Sequence, residues 1–158
     1  MLLTPHTVVG VAIAMAIPNP LIAVPVAFVF HFLGDLVPHW DFYSNTKREE
    51  RLEGWRPMAV MGEMAIGVAV GVYFTLHALW VMHNPALSLN IFLCGIASVL
   101  PDVITGPSIY IKGIDSIFDF VHKLQHKLQF QAPLPWGVIS QFAVMGLCLL
   151  LIASLGGL

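Results

Sequence analysis

The chain has 158 residues, 58% of them hydrophobic and 10% charged, with a formal net charge of −2 and a mean hydropathy of +0.83. A soluble domain carries roughly 25% charged residues, so this composition excludes an ordinary water-soluble fold and points to one integral membrane domain over residues 1–158. No basic tract or RNA-binding motif is present, which leaves membrane lipids, and no nucleic acid, as expected partners.

In chain order, Thr4 and Pro5 read as the N-cap and first helical residue of a short helix ending near Ile17. No basic region precedes it, so the N-terminus is expected to be retained and not cleaved as a secretory signal. Pro18, Asn19 and Pro20 turn the chain into a second helix ending near Val37. At about 1.5 Å per residue the first helix reaches only ~20 Å against a hydrocarbon core of ~30 Å, so helices one and two are expected as a tilted or partly re-entrant hairpin.

A polar stretch from His39 to Arg56 follows, with a short surface helix expected in KREERLEG. Three longer apolar segments span residues 57–82, 85–103 and 135–158, and an amphipathic surface helix precedes the last. The expected fold is therefore all-α: a polytopic membrane bundle of about five apolar helices plus that surface helix. Cys94 and Cys148 lie in apolar runs without a CxxC spacing and read as packing residues.

All seven basic side chains fall in two connections: Lys47, Arg48, Arg51 and Arg56 in one, Lys112, Lys123 and Lys127 in the other. The positive-inside rule makes that face cytoplasmic, with the N-terminus on the same side and the C-terminus opposite.

The ionisable groups gather at that same end. In HFLGDLVPHWD, His31 and Asp35 stand one helical turn apart, with His39 and Asp41 just beyond. In IDSIFDFVHKLQHKLQF, Asp115, Asp119, His122 and His126 fall within about 60° of arc on a helix. Glu63 shares a face with Gly67 and Gly71, a GxxxG spacing open to an internal contact or to a homo-oligomer. Asp102 ends a small polar stripe of Asn90, Cys94 and Ser98, and His6 begins the first helix. Imidazole beside carboxylate is what a divalent metal site requires, although capped helix ends and solvated faces use the same residues.

The early histidine in TPHTVVG, the HFLGDLVPHWD stretch, the LPD of the fourth segment and the HKLQH pair together resemble small membrane-bound, metal-dependent hydrolase-like proteins loosely associated with zinc-dependent phospholipase C. In that group a PDxD element and an HRxxTH-like element stand where this chain has PHWD and HKLQH. The resemblance implies His6, His31, Asp35, His39, Asp41, Asp102, His122 and His126 as ligands or catalytic groups.

The resulting expectation is a metal-dependent hydrolase of a lipid or lipid-linked phosphoester. His31, Asp35, His122, His126, His6 and Asp102 would hold one or two divalent ions, with zinc the expected metal, and Asp41, Glu63 and His39 would serve catalysis. The competing expectation is a non-enzymatic membrane protein with a structural metal or an ion-transport role; a pH-sensing role for the histidines ranks below both.

Overall fold

A computed structural model describes residues 1–44, 46–47, 49–106 and 119–158, with the side chains of Glu49, Leu52, Asp119 and His122 outside that description. The described residues form a helical bundle: α1 (Leu3–Ala16), α2 (Pro20–Asp35), α3 (Arg56–Trp80), α4 (Pro85–Thr105), α5 (Asp119–Leu128) and α6 (Trp136–Ser154). The surface helix expected in KREERLEG is only a single 3-10 turn, Glu49–Leu52.

Helices α3, α4 and α6 are long and apolar enough to cross a membrane, whereas α1 and α2 are apolar but shorter. Their outward faces carry large exposed apolar side chains, among them Ile66 and Val68 on α3 and Leu147 and Leu150 on α6. Apolar surface on this scale is unfavourable in water and suits hydrocarbon. These features are consistent with an integral membrane protein.

The short first helix occupies the centre. Helix α1 is apolar on every side, which is the pattern of a helix buried all round. It packs against α2, α3, α4 and α6, and its residues from Pro5 to Ala14 are all buried. Surrounded by other helices, it need not match the thickness of a bilayer.

Small residues let the neighbours close on it. A Cβ at Gly10 would sit 2.6 Å from Ser98 Oγ and 2.7 Å from the Cys94 carbonyl, so only glycine fits this α1–α4 crossing. Gly67 and Gly71 of α3 do the same work against Leu3 and Thr7 of α1, which makes the GxxxG spacing an internal contact.

Polar side chains from neighbouring helices close both ends of α1. At its N-terminus, Glu63 accepts hydrogen bonds from the Leu3 and Thr4 amides at 3.1 and 2.6 Å. Thr4 is thus not the cap: Leu2 occupies that position and offers no side-chain cap bond. At the C-terminus, Asn90 Nδ2 donates to the Ala14 and Ile17 carbonyls at 3.0 and 2.9 Å.

One further contact shapes the site. The chain leaving α5 runs beside the chain leaving α2: Phe130 N donates to the Asp35 carbonyl, His39 N to the Phe130 carbonyl, and Ala132 N to the His39 carbonyl, at 2.9, 3.0 and 2.7 Å. These bonds fix α5 against the end of α2 that carries the ionisable groups.

Candidate metal centre

Four segments supply the centre. His6 comes from the second turn of α1, His31 and Asp35 from the last turns of α2, His39 from the segment after it, and Asp102 from the end of α4. His6, His31, Asp35 and His39 are each at most 1% exposed, while the Asp102 side chain retains 30% exposure.

The separations between these groups are distinctive. His6 Nε2 lies 3.3 Å from Asp35 Oδ1. His31 Nε2 lies 3.7 Å from Asp35 Oδ2 and 3.6 Å from Asp102 Oδ1. At 3.6–3.7 Å the His31 pairs are too long for hydrogen bonds. They suit neighbouring ligands on one ion: a tetrahedron with bonds of about 2.0–2.1 Å puts its ligand atoms roughly 3.3–3.4 Å apart. His6, His31 and Asp102 each offer a donor atom within 4.8 Å of the other two.

His6 Nδ1 and Asp35 Oδ2 are buried without a hydrogen-bond partner, and His6 Nε2 has only the 3.3 Å contact with Asp35 Oδ1. Leaving such atoms unsatisfied costs about 1–3 kcal/mol each, so buried orphans of this kind fit a centre completed by a ligand. The imidazoles of His6 and His31 stack at 4.1 Å between centroids, presenting their edges together.

The protonation of His31 is set by its neighbours. Its Nδ1 lies 2.8 Å from the Ser98 carbonyl, which can only accept. Nδ1 therefore carries the hydrogen, and in the neutral ring Nε2 turns a lone pair toward Asp35 and Asp102. Gln125, buried at 5% exposure, places Nε2 at 2.7 Å from Asp102 Oδ1 and 3.3 Å from His31 Nε2. Its Oε1 accepts from Thr105 Oγ1 at 3.1 Å, which fixes the orientation of the amide.

His39 is arranged in the same way, with Nδ1 donating to the Val37 carbonyl at 2.9 Å. Its Nε2 lies 2.8 Å from the Met1 amino group, which also donates to Asp35. Burial first, and the charge of that amine second, hold the His39 imidazole below its ordinary pKa.

A cavity of about 660 Å³ opens beside the centre and shares Asp102 and Gln125 with it. Asp41, Glu63 and His126 also line this cavity. Asp41 Oδ1 accepts from Tyr43 N at 2.7 Å and from Ser44 Oγ at 3.2 Å. His126 is exposed and is not one of the three residues of the close donor group. The side chains of His122 and Asp119, and all of Asp115, lie outside the described residues.

The structure thus gathers His6, His31, Asp35, His39 and Asp102, and puts Asp41, Glu63 and His126 in the adjoining wall. Sequence reasoning missed Gln125. It is an uncharged amide one position before His126, and the only signal for it was a polar residue among Val121, Leu124 and Leu128.

Comparison with known proteins finds no family model, no curated protein and no solved structure that matches this chain.

Proposed function

We propose that the chain is a multi-pass membrane hydrolase that binds a divalent metal ion, zinc by ligand type, through His6, His31 and Asp102 beside Asp35, and cleaves a lipid or lipid-linked phosphoester. The observation that carries this reading is the convergence of His6, His31 and Asp102, whose ligand atoms lie within 4.8 Å of one another, on the buried Asp35, 3.3 Å from His6 and 3.7 Å from His31. Two imidazoles with a carboxylate are a common catalytic zinc set. A bound ion of this kind supplies a water of lowered pKa and polarises a phosphoryl oxygen.

The remaining roles fall to the chain's own residues. Gln125 and the Ser98 carbonyl orient Asp102 and His31, and Asp41, which lines the cavity, accepts a proton. A purely structural metal site is closed to solvent; the partial exposure of Asp102 toward the cavity favours the catalytic reading. The segregation in the sequence of Lys47, Arg48, Arg51, Arg56, Lys112, Lys123 and Lys127 supports a cytoplasmic location for this end, with the C-terminus opposite.

The test is elemental analysis of detergent-purified wild type and of the His6→Ala, His31→Ala double variant. Wild type is expected to carry about one zinc or similar ion per chain and the variant less than a tenth of that, since two of three ligands are gone. A wild type that stays metal-free after incubation with zinc overturns the reading. If the metal is present, hydrolysis of lipid phosphoesters in vesicles decides between an enzyme and a structural site.

A further inference from the structure

Among the described residues, the cavity beside the candidate metal centre has one lysine or arginine in its lining, with part of its hydrogen-bonding capacity unused. Arg51 lines it, held with its guanidinium carbon 5.4 Å from the centroid of the Tyr43 ring, and its Nε is buried without an acceptor. The three carboxylates in the same wall are already engaged by N–H groups: Glu63 by the first amides of α1, Asp41 by the Tyr43 amide, and Asp102 by Gln125.

The rest of the lining is largely apolar, built by Val60, Met61 and Met64 of α3 and Val103 of α4. Met61, Met64 and Val103 are also exposed, at 61%, 36% and 49%. The apolar lining on α3 and α4 is thus accessible, and the same helices carry the exposed apolar Ile66, Val68 and Ile96. Unbranched methionines in that lining adapt readily to a flexible chain.

We propose that this cavity seats a membrane phospholipid, its phosphate received by Arg51 and its acyl chains leaving between Met61, Met64 and Val103 along the outer face of α3 and α4. A guanidinium with a free, desolvated donor is matched by a phosphate oxygen. An amphiphile is the occupant because one wall is apolar and belongs to helices with exposed surface suited to hydrocarbon. The inference rests on the hydrolase reading for the meaning of the phosphate's position, near Asp102, but not for its binding.

The experiment measures binding of dioctanoyl phosphatidate, dioctanoylglycerol and inorganic phosphate to the full chain in maltoside micelles, for wild type, Arg51→Gln and Met64→Trp, with metal content determined on each sample. Wild type should prefer phosphatidate to dioctanoylglycerol by about tenfold or more, and Arg51→Gln should lose that preference, as expected for one charge-assisted contact. Met64→Trp, which fills the cavity, should weaken both lipids. Inorganic phosphate should bind much more weakly than phosphatidate.

Equal phosphatidate affinity in wild type and Arg51→Gln overturns the proposal, as does inorganic phosphate binding as tightly as the lipid, which would make this an anion site without an acyl groove. The metal values separate the two readings. An Arg51-dependent lipid preference in metal-free protein leaves the phospholipid site standing and removes the metal centre; retained metal with no such preference does the reverse.

Discussion

The two ends of α1 bury polar groups in opposite ways. At the C-terminal end Asn90 spends both amide hydrogens on the Ala14 and Ile17 carbonyls and takes a weak bond from Cys94 Sγ at 3.6 Å on its oxygen. At the N-terminal end, beyond the Glu63 cap, His6 Nδ1 and Asp35 Oδ2 are buried without hydrogen-bond partners, and His6 Nε2 has only its 3.3 Å contact with Asp35 Oδ1. Both sites are almost fully buried, so exposure does not distinguish them. What distinguishes them is satisfaction: a bonded amide completes the fold, whereas imidazole and carboxylate atoms with unused lone pairs at ligand-like separations are what the proposed metal centre requires.

Under the proposed function, that contrast is broken most severely by chelation of the proposed ion. If an ion is bound at about 1,000 times its Kd it contributes roughly 4 kcal/mol to stability. Chelation should therefore lower the thermal midpoint of wild type markedly and leave the His6→Ala, His31→Ala variant unmoved. Calorimetry of both proteins with and without chelator makes the comparison, and an unchanged wild-type midpoint would erase the difference between the two ends.

Gln125→Ala sharpens the contrast at the ligand end. Losing a group that orients metal ligands typically weakens metal binding 10- to 100-fold, and here both Asp102 and His31 lose their shared amide. Competition with a chromogenic zinc chelator should reveal this loss, with little change in the secondary structure measured by circular dichroism. Tight metal binding in this variant would reduce Gln125 to a packing residue.

At the other end, Asn90→Ala should cost about 1–3 kcal/mol, the penalty for leaving buried carbonyls without donors. Metal content per folded chain should stay at the wild-type value. A fall in metal content would mean that the two ends of α1 are coupled, and the division between them would fail.

Much of this arrangement could be read from the sequence. The i, i+4 spacing of His31 and Asp35 gave one side of the site, and the four-residue spacing of Asn90, Cys94 and Ser98 correctly marked an inward face of α4. The metal-site expectation also included His6, although as a helix start it carried no spacing signal of its own. Its importance comes from the burial of α1, a tertiary outcome that the short length of the helix obscured.

The face that α5 turns inward was harder to read. Successive helical residues differ by about 100° in direction, so a small rotation exchanges one side chain for the next. The backbone pairing of residues 130–132 with Asp35 and His39 holds the end of α5 in place, with Gln125 buried and His126 exposed. Histidine periodicity within α5 contains no information about that pairing, which joins segments about ninety residues apart.

Glu63 tests the contrast most finely, because it belongs to both descriptions. Its spacing and acidity made it a candidate general base, yet its two oxygens accept from the Leu3 and Thr4 amides. An anionic cap at a helix N-terminus contributes about 1 kcal/mol through its hydrogen bonds and the helix dipole. Glu63→Gln keeps one acceptor oxygen but loses the other and the charge, so it should lower stability by about 1–3 kcal/mol, with metal content unchanged. A general base contributes about 10²- to 10⁴-fold to rate. Phosphoester hydrolysis within about tenfold of wild type in Glu63→Gln therefore assigns the residue to the fold, whereas a loss beyond 100-fold in a stable, metal-loaded variant moves it into the chemistry.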